Sequence, residues 1–151
     1  MRKRYLYFLL IMLSVYSCKP RQSQPFGRNL ALENKRWVLR EMNGKAITPT
    51  SDGKELFILF DTKDNTFGGS GNCNSMNGMY TVQDEMINIH KMATTEMACP
   101  NMDIESEYFL MLSKANRYEL KKKREGGIDK ESLILFNDLN QVAKFDAVNV
   151  K

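Results

Sequence analysis

Apolar residues from Arg36 onward fall mostly in strand-like patterns, and one stretch alone has helical spacing. "RWVLREMNGKAI" reads as a strand through Trp37 and Leu39 that turns at Asn43-Gly44, the strongest short hairpin signal. Trp37 is expected to anchor the core, with an exposed binding aromatic as the other reading. "ELFILFD" (Glu55–Asp61) is a dense run of β-formers, which predicts a strand buried on both faces or set in a closed sheet. "TKDN" turns the chain, and "TFGGSG" starts a strand that breaks up in glycines. "GMYTVQ" and "MINIHK" alternate apolar and polar positions around Asp84-Glu85 and read as a hairpin. Past Pro100 the period changes. Ile104, Tyr108 and Leu112, with Phe109 and Met111 beside them, predict a helix through "MDIESEYFLMLSKA". Asp103, Glu105 and Glu107 near its start and Lys114 near its end suit the helix dipole. "RYELKKK", "SLILFND" and "VAKFDAV" then predict three strands, the first two joined across "REGGIDKE".

Strands, one helix and strands again, with hairpin-length links, predict an α+β domain. Its sheet would be a small curved antiparallel sheet or a partly closed barrel, with one main helix packed on it. The absence of βαβ alternation argues against a doubly wound nucleotide-binding fold.

The first residues follow a different logic. Arg2, Lys3 and Arg4 precede an almost pure apolar run, Tyr5–Leu13, and then "SVYSC". This order is that of a secretory signal, and charged Lys19 arrives too early for a membrane span of about 20 residues. Val15, Ser17 and Cys18 resemble a bacterial lipobox, with the leader expected at 1–17. Cys18 would then carry lipid and attach the protein to a membrane without a transmembrane helix. An ordinary signal peptide with an incidental cysteine is the alternative. "KPRQSQPFGRNL" has the composition of a tether, giving an anchor and tether at 18–31 and a folded domain at 32–151. Lys19 after the cysteine gives no aspartate-type retention signal, which leans towards the outer membrane, facing the periplasm.

Charge then changes meaning. The chain has 22 Lys and Arg against 18 Asp and Glu, but three of the basic residues lie in the leader. The remainder is close to neutral, so the basic balance is poor support for nucleic-acid binding, and no nucleic-acid partner is expected. Removing 17 leader residues from 151 leaves 134, enough for one domain with a proper core. "ELKKKRE" at 119–125 reads as a solvated hairpin tip, with contact to an anionic lipid or a partner as the other reading.

Two of the three cysteines, Cys73 and Cys99, flank the single histidine, His90. A nucleophilic cysteine needs a base within reach and a group that orients the base. His90 alternates with Ile87 and Ile89 and is expected on the opposite, solvent-facing side, so no catalytic residue is assigned. "GGSG" lacks the lysine of a phosphate loop. The close ligand pairs of structural zinc are missing. Met76, Met79, Met86, Met92, Met97 and Met102 raise a soft copper site, although methionine more often fills core gaps. No metal or other cofactor is therefore assigned. In an oxidising compartment, with Cys18 lipidated, Cys73 and Cys99 remain as an even pair and are expected to form a disulfide. Two buried free thiols are the competing reading.

"GGSGNCNSMNGMY" followed by "TTEMACP" resembles the paired motif of META/HslJ-type domains, and Trp37, Leu39 and Gly44 match the family's upstream W–x–L–x–x–x–x–G. The resemblance spans roughly Leu32 to Val148. Asn72 departs from it, standing where glycine is frequent; asparagine is the next best residue for a left-handed backbone. The resemblance implies a small α+β fold, frequent occurrence as envelope lipoproteins and links to heat or drug stress, with no catalytic residues to carry over. It marks Gly71, Cys73, Asn74, Gly78, Tyr80, Thr95, Met97, Ala98 and Cys99 as a structural corner, with a binding role as the alternative. In that corner the glycines would permit the turn, Asn74 would bond to backbone, and Tyr80 would pack with its polar tip. The expectation is a non-enzymatic, lipid-anchored envelope protein that binds another envelope component in stress tolerance or envelope maintenance. The alternatives are a carrier of a small apolar ligand in a sheet–helix pocket and a soft-metal binding protein.

Overall fold

A computed structural model describes residues 32–48, 54–100 and 102–149. The expected leader, Cys18 and the tether lie outside them. The elements are β1 (Lys35–Met42), β2 (Lys45–Ala46), β3 (Phe57–Asp61), β4 (Thr66–Ser70), β5 (Ser75–Gln83) and β6 (Met86–Thr94). They continue with α1 (Asp103–Lys114), β7 (Arg117–Glu125), β8 (Ile128–Asn137) and β9 (Asn140–Asn149). The expected hairpin turns all form. Asn43, Asn65, Asp84 and Asp138 take the left-handed backbone that Asn and Asp tolerate, and Gly126-Gly127 turns β7 into β8.

The strands lie in one antiparallel sheet, ordered β2-β1-β3-β4-β5-β6-β7-β8-β9, and β1 also pairs with β9. That last pairing runs from Lys35 opposite Asn149 to Met42 opposite Ala143, so the sheet curls into a nearly closed ring. Its weak seam lies between β6 and β7, where Met86 opposite Arg117 is the one ladder position. Two flanking backbone bonds, Ile87 N–H to Asn116 O (3.1 Å) and Tyr118 N–H to Glu85 O (2.9 Å), hold the seam at that end. Helix α1 belongs to the connection between these two strands. Its buried Tyr108, Met111 and Leu112 turn into the ring, where the Tyr108 ring centre lies 6.3 Å from that of Phe145 on β9.

Alternation along the strands places Trp37, Ile58, Phe67, Tyr80, Ile87, Ile89, Leu133, Leu135 and Phe145 in one core with the helix. Trp37 is fully buried, as expected, and its indole N–H donates to the Leu32 carbonyl at 3.0 Å. Each such side chain contributes about 1.5–3 kcal/mol by leaving water. Of the two readings of β3, the closed sheet is the one that holds: Ile58 and Phe60 point inward, while Phe57 and Leu59 are half-exposed outside, with the Arg36 guanidinium 4.0 Å from the Phe57 ring centre. One expectation needs correction. "TFGGSG" does not break up; β4 runs through both glycines to Ser70.

The hydroxyls of Tyr80 and Tyr108 are buried without a hydrogen-bond partner. Burial pushes the Tyr80 phenol up to about 12, with the nearby Glu33 and Asp61 charges adding to it, and burial raises Tyr108 as well. An unfolded tyrosine ionises near 10. The native state therefore binds the phenolic protons more tightly, and the stability this gives is present below about pH 10 and lost as pH rises from there through the folded values. Chemical denaturation between pH 8 and 12 is expected to show this alkaline loss, and Tyr80→Phe should flatten part of it.

Candidate functional site

The family motif folds at one end of the ring, where three segments meet: the β4–β5 turn, the chain leaving β6, and the first turn of α1. Asn74 opens β5 from that turn and is buried. Its Nδ2 donates to Glu105 Oε1 at 2.7 Å and to the Met97 carbonyl at 3.3 Å. Its Oδ1 accepts the Met97 N–H at 2.7 Å and the Thr95 hydroxyl at 2.8 Å. Two donor hydrogens and two acceptor lone pairs are the whole capacity of a carboxamide, and here all are used.

Glu105 is the partner that the sequence reading missed. It is only 2% exposed, and besides Asn74 Nδ2 its carboxylate accepts the backbone N–H groups of Cys73 (2.9 Å) and Asn74 (2.8 Å). Three donors converge on one buried acidic side chain from a different element. The helical phase carried the signal: Glu105 lies three and seven residues before Tyr108 and Leu112, on the buried stripe. Its acidity near a helix start suggested a dipole role and hid its position on that stripe.

Cys73 and Cys99 are joined by a disulfide across a sequence separation of 26, with Cα atoms 6.2 Å apart. This ties the β4–β5 turn to the segment that leads into the helix. Gly71 makes room for the junction: a Cβ there would lie 2.5 Å from Phe109 Cζ and 2.6 Å from Glu105 Cγ. Its role is close approach of the helix rather than the turn itself. The left-handed position is Asn72, at φ 91°, the conformation expected where the family favours glycine. Thr95 adds two bonds to Ser75: its Oγ1 accepts the Ser75 N–H at 3.1 Å, and its own N–H donates to Ser75 O at 3.1 Å.

Gly71, Asn74, Thr95, Met97 and the cysteine pair are therefore brought together. Gly78 and Tyr80 are not. Tyr80 lies five residues beyond Ser75, about 16 Å along an extended strand, and faces Phe60 with ring centres 4.9 Å apart. Its expected polar tip finds no partner. Gly78 sits at a register shift in the β5–β6 pairing, where a Cβ would lie 2.6 Å from the Phe67 ring. It serves ring packing rather than a turn.

His90 stands opposite Met79 in the ladder and is half-buried, on the side away from buried Ile87 and Ile89. With Cys73 in the disulfide, no thiol is present for the Cys–His pairing considered from sequence. Of the methionines, Met76 packs in the core while Met86 and Met97 are exposed. Among the described residues, no three His, Cys, Asp or Glu side chains converge as a metal-binding group would require.

This is a ring of strands fastened at one end to an inserted helix, and comparison with known proteins places it. Residues 30–148 match the META domain, and the chain belongs to that family. Its fold is similar to an NMR structure of a protein from Burkholderia xenovorans, with a TM-score of 0.58 and 23% identity over 79% of this chain and 85% of that one. A second NMR structure gives a TM-score of 0.55 and 22% identity over 78% of this chain and 92% of its own. No curated protein sequence matches significantly.

Removing the Glu105 carboxylate leaves three inward-pointing donors unpaired. Glu105→Ala is expected to lower stability by about 3–5 kcal/mol in urea denaturation. In a cycle with Asn74→Ala, the double variant should lose clearly less than the sum of the two singles. Reducing the disulfide, or making Cys73→Ala with Cys99→Ala, should cost about 3–4 kcal/mol for a loop of this length. Intact mass after alkylation should show two added groups only once the protein has been reduced.

Proposed function

We propose that this protein is a lipid-anchored component of the cell envelope, held through Cys18, whose META domain binds another envelope component in stress tolerance or envelope maintenance. One observation carries the reading: the polar groups of the motif are occupied internally. Asn74 uses its full hydrogen-bonding capacity, the carboxylate of Glu105 accepts three donors, and Cys73 is bonded to Cys99. The motif therefore serves the architecture, and the outer surface of the ring is left for recognition. The disulfide also suits an oxidising compartment such as the periplasm. A non-enzymatic role is part of the same proposal, and Lys19 after Cys18, which is not the aspartate of a retention signal, supports attachment to the outer membrane on its periplasmic side.

The alternative is a carrier of a small apolar ligand between sheet and helix, where the buried side chains of Trp37, Tyr108, Leu112, Leu133 and Phe145 lie. The test is metabolic labelling with a palmitate analogue, followed by membrane fractionation and crosslinking in the native envelope. Label is expected on the wild-type chain and absent from Cys18→Ser, with the protein in the outer-membrane fraction and crosslinked to an envelope component. An unlabelled protein in the soluble fraction would overturn the anchoring, and catalytic turnover lost in Cys73→Ala would overturn the non-enzymatic reading.

A further inference from the structure

Charge is spread unevenly over the outside of the ring. On the side of β1, β7, β8 and β9 it is dense and paired: Arg40 with Asp146, Arg117 with Glu119, Lys122 with Glu131, and Lys123 with Glu125. The β7–β8 hairpin carries such pairs past the end of the β8–β9 ladder, at Ser132 opposite Asp146. Strands β4, β5 and β6 differ. Lys91, exposed where β6 shifts register, is their one Lys, Arg, Asp or Glu.

Across the ladders, Thr66, Met79 and His90 stand in one row, and Leu59, Gly68 and Asn77 in the next. Alternation turns them outward, because their neighbours Phe67, Met76, Tyr80 and Ile89 are buried in the core. Charges lie at the borders of this face. Asp61 is beside Thr66, and Asp84 and Glu85 form the β5–β6 turn. Arg36 is beyond Leu59, where Glu55 neutralises it at 3.0 Å.

Gly68 is the residue of this face that folding does not explain. Its neighbour Gly69 is required: a Cβ there would lie 2.2 Å from the Phe57 carbonyl oxygen and 2.5 Å from Met76 Cε. At Gly68 the nearest atom to such a Cβ is the Met76 carbonyl oxygen, at an ordinary 3.9 Å. The backbone of Gly68 is also outside the left-handed region. Glycine inside a strand weakens it, and where neither packing nor backbone demands it, the missing side chain marks the close approach of another molecule. Leu59 on one side and exposed Asn77 on the other make Gly68 the floor of a shallow trough.

A partner bearing phosphates or carboxylates would lose its hydration here without gaining a counter-charge. The contact centre of a protein partner favours exposed aromatic rings and arginine, whereas the ring nearest this face, Phe57, is capped by the Arg36 guanidinium at 4.0 Å. A sugar ring fits both halves of the chemistry. Its C–H face can lie over Gly68 against Leu59 and Met79, with its hydroxyls on Asn77, Thr66 and His90.

We propose that the outer face of β4, β5 and β6, centred on Gly68, binds an uncharged carbohydrate chain. This deepens the reading that the domain binds an envelope component, and it rests on that reading for where the carbohydrate is met. The test is amide NMR of the chain purified as the cell makes it, in micelles of a sugar-free detergent. Chitotetraose and maltotetraose are the neutral probes, and a heparin tetrasaccharide is the charged control. A neutral probe at millimolar concentration should shift the amides of Thr66, Gly68, Asn77 and His90, and the heparin fragment should leave them in place. Gly68→Thr should raise the urea midpoint, because a strand gains a β-branched side chain, and weaken the oligosaccharide about tenfold. Asn77→Ala should weaken it with the midpoint unchanged.

No shift on this face with either neutral probe overturns the proposal, as does a Gly68→Thr variant with a lowered midpoint. Face amides that broaden with protein concentration alone would give the face to a second copy, which overturns it too. Intact mass of the same sample reads the anchor separately. An unmodified Cys18 with the shifts present removes the anchor and keeps the carbohydrate face; a modified Cys18 without them does the reverse.

Discussion

The bond set between Glu105 and the Asn74 turn is the constraint on which the rest of the domain depends. A ring of strands can bury its inward side chains only if its interior is filled and its ends are covered. Here one helix supplies the filling, and it must enter at the place where β6 and β7 part. Buried apolar contacts favour its insertion but do not fix its register, because they are non-directional. A carboxylate that accepts three donors from one turn does fix it. Moving the helix by one residue would bury that charge without partners, a loss of several kcal/mol.

The disulfide acts at the same place by a different route. Hydrogen bonds to Glu105 stabilise the folded junction directly, whereas the Cys73–Cys99 link chiefly restricts the unfolded chain. The two do not duplicate each other. The covalent bond joins the turn to the strand exit, and the hydrogen bonds join the turn to the helix. Between them, Asn74 ties in the exit segment through Met97 and Thr95. Gly71 leaves the space in which these pieces meet.

Local pattern made much of this legible. Alternation and turn residues located the β-hairpins, helical spacing located α1, and the cysteine pair was identified together with its motif. What the sequence withheld was non-local. No local signal shows that β1 pairs with β9 and closes the ring, because that contact joins the two ends of the domain. The same gap left β3 with two readings: "ELFILFD" fits a doubly buried strand as well as one in a closed sheet, and only the ring shows that the Phe57 face is covered by an arginine rather than a second layer. Gly78 and Tyr80 were drawn into the corner because they share a motif with Cys73. A strand carries residues steadily away from its start, so proximity in sequence did not become proximity in space. Glu105 is the reverse case: 31 residues from Asn74 in sequence, it completes the site.

The placement of polar groups then separates architecture from recognition. At the fastened end of the ring the buried Asn74 and Glu105 are matched, and among the described residues the Tyr80 and Tyr108 hydroxyls are the buried side-chain groups without a partner. Outside, on the β7–β8 hairpin, charges of opposite sign are paired on both faces, Lys122 with Glu131 and Arg124 with Asp129 on one, Lys121 with Glu119 and Lys123 and Lys130 with Glu125 on the other. Surface ion pairs contribute little to folding, so nothing in the stability of the ring requires a hairpin that outruns its neighbours. Nor does it require the glycine at position 68, where neither backbone nor packing excludes a side chain. A sheet face left bare where the fold would accept a side chain is the part of the domain whose chemistry is free to answer to the surroundings.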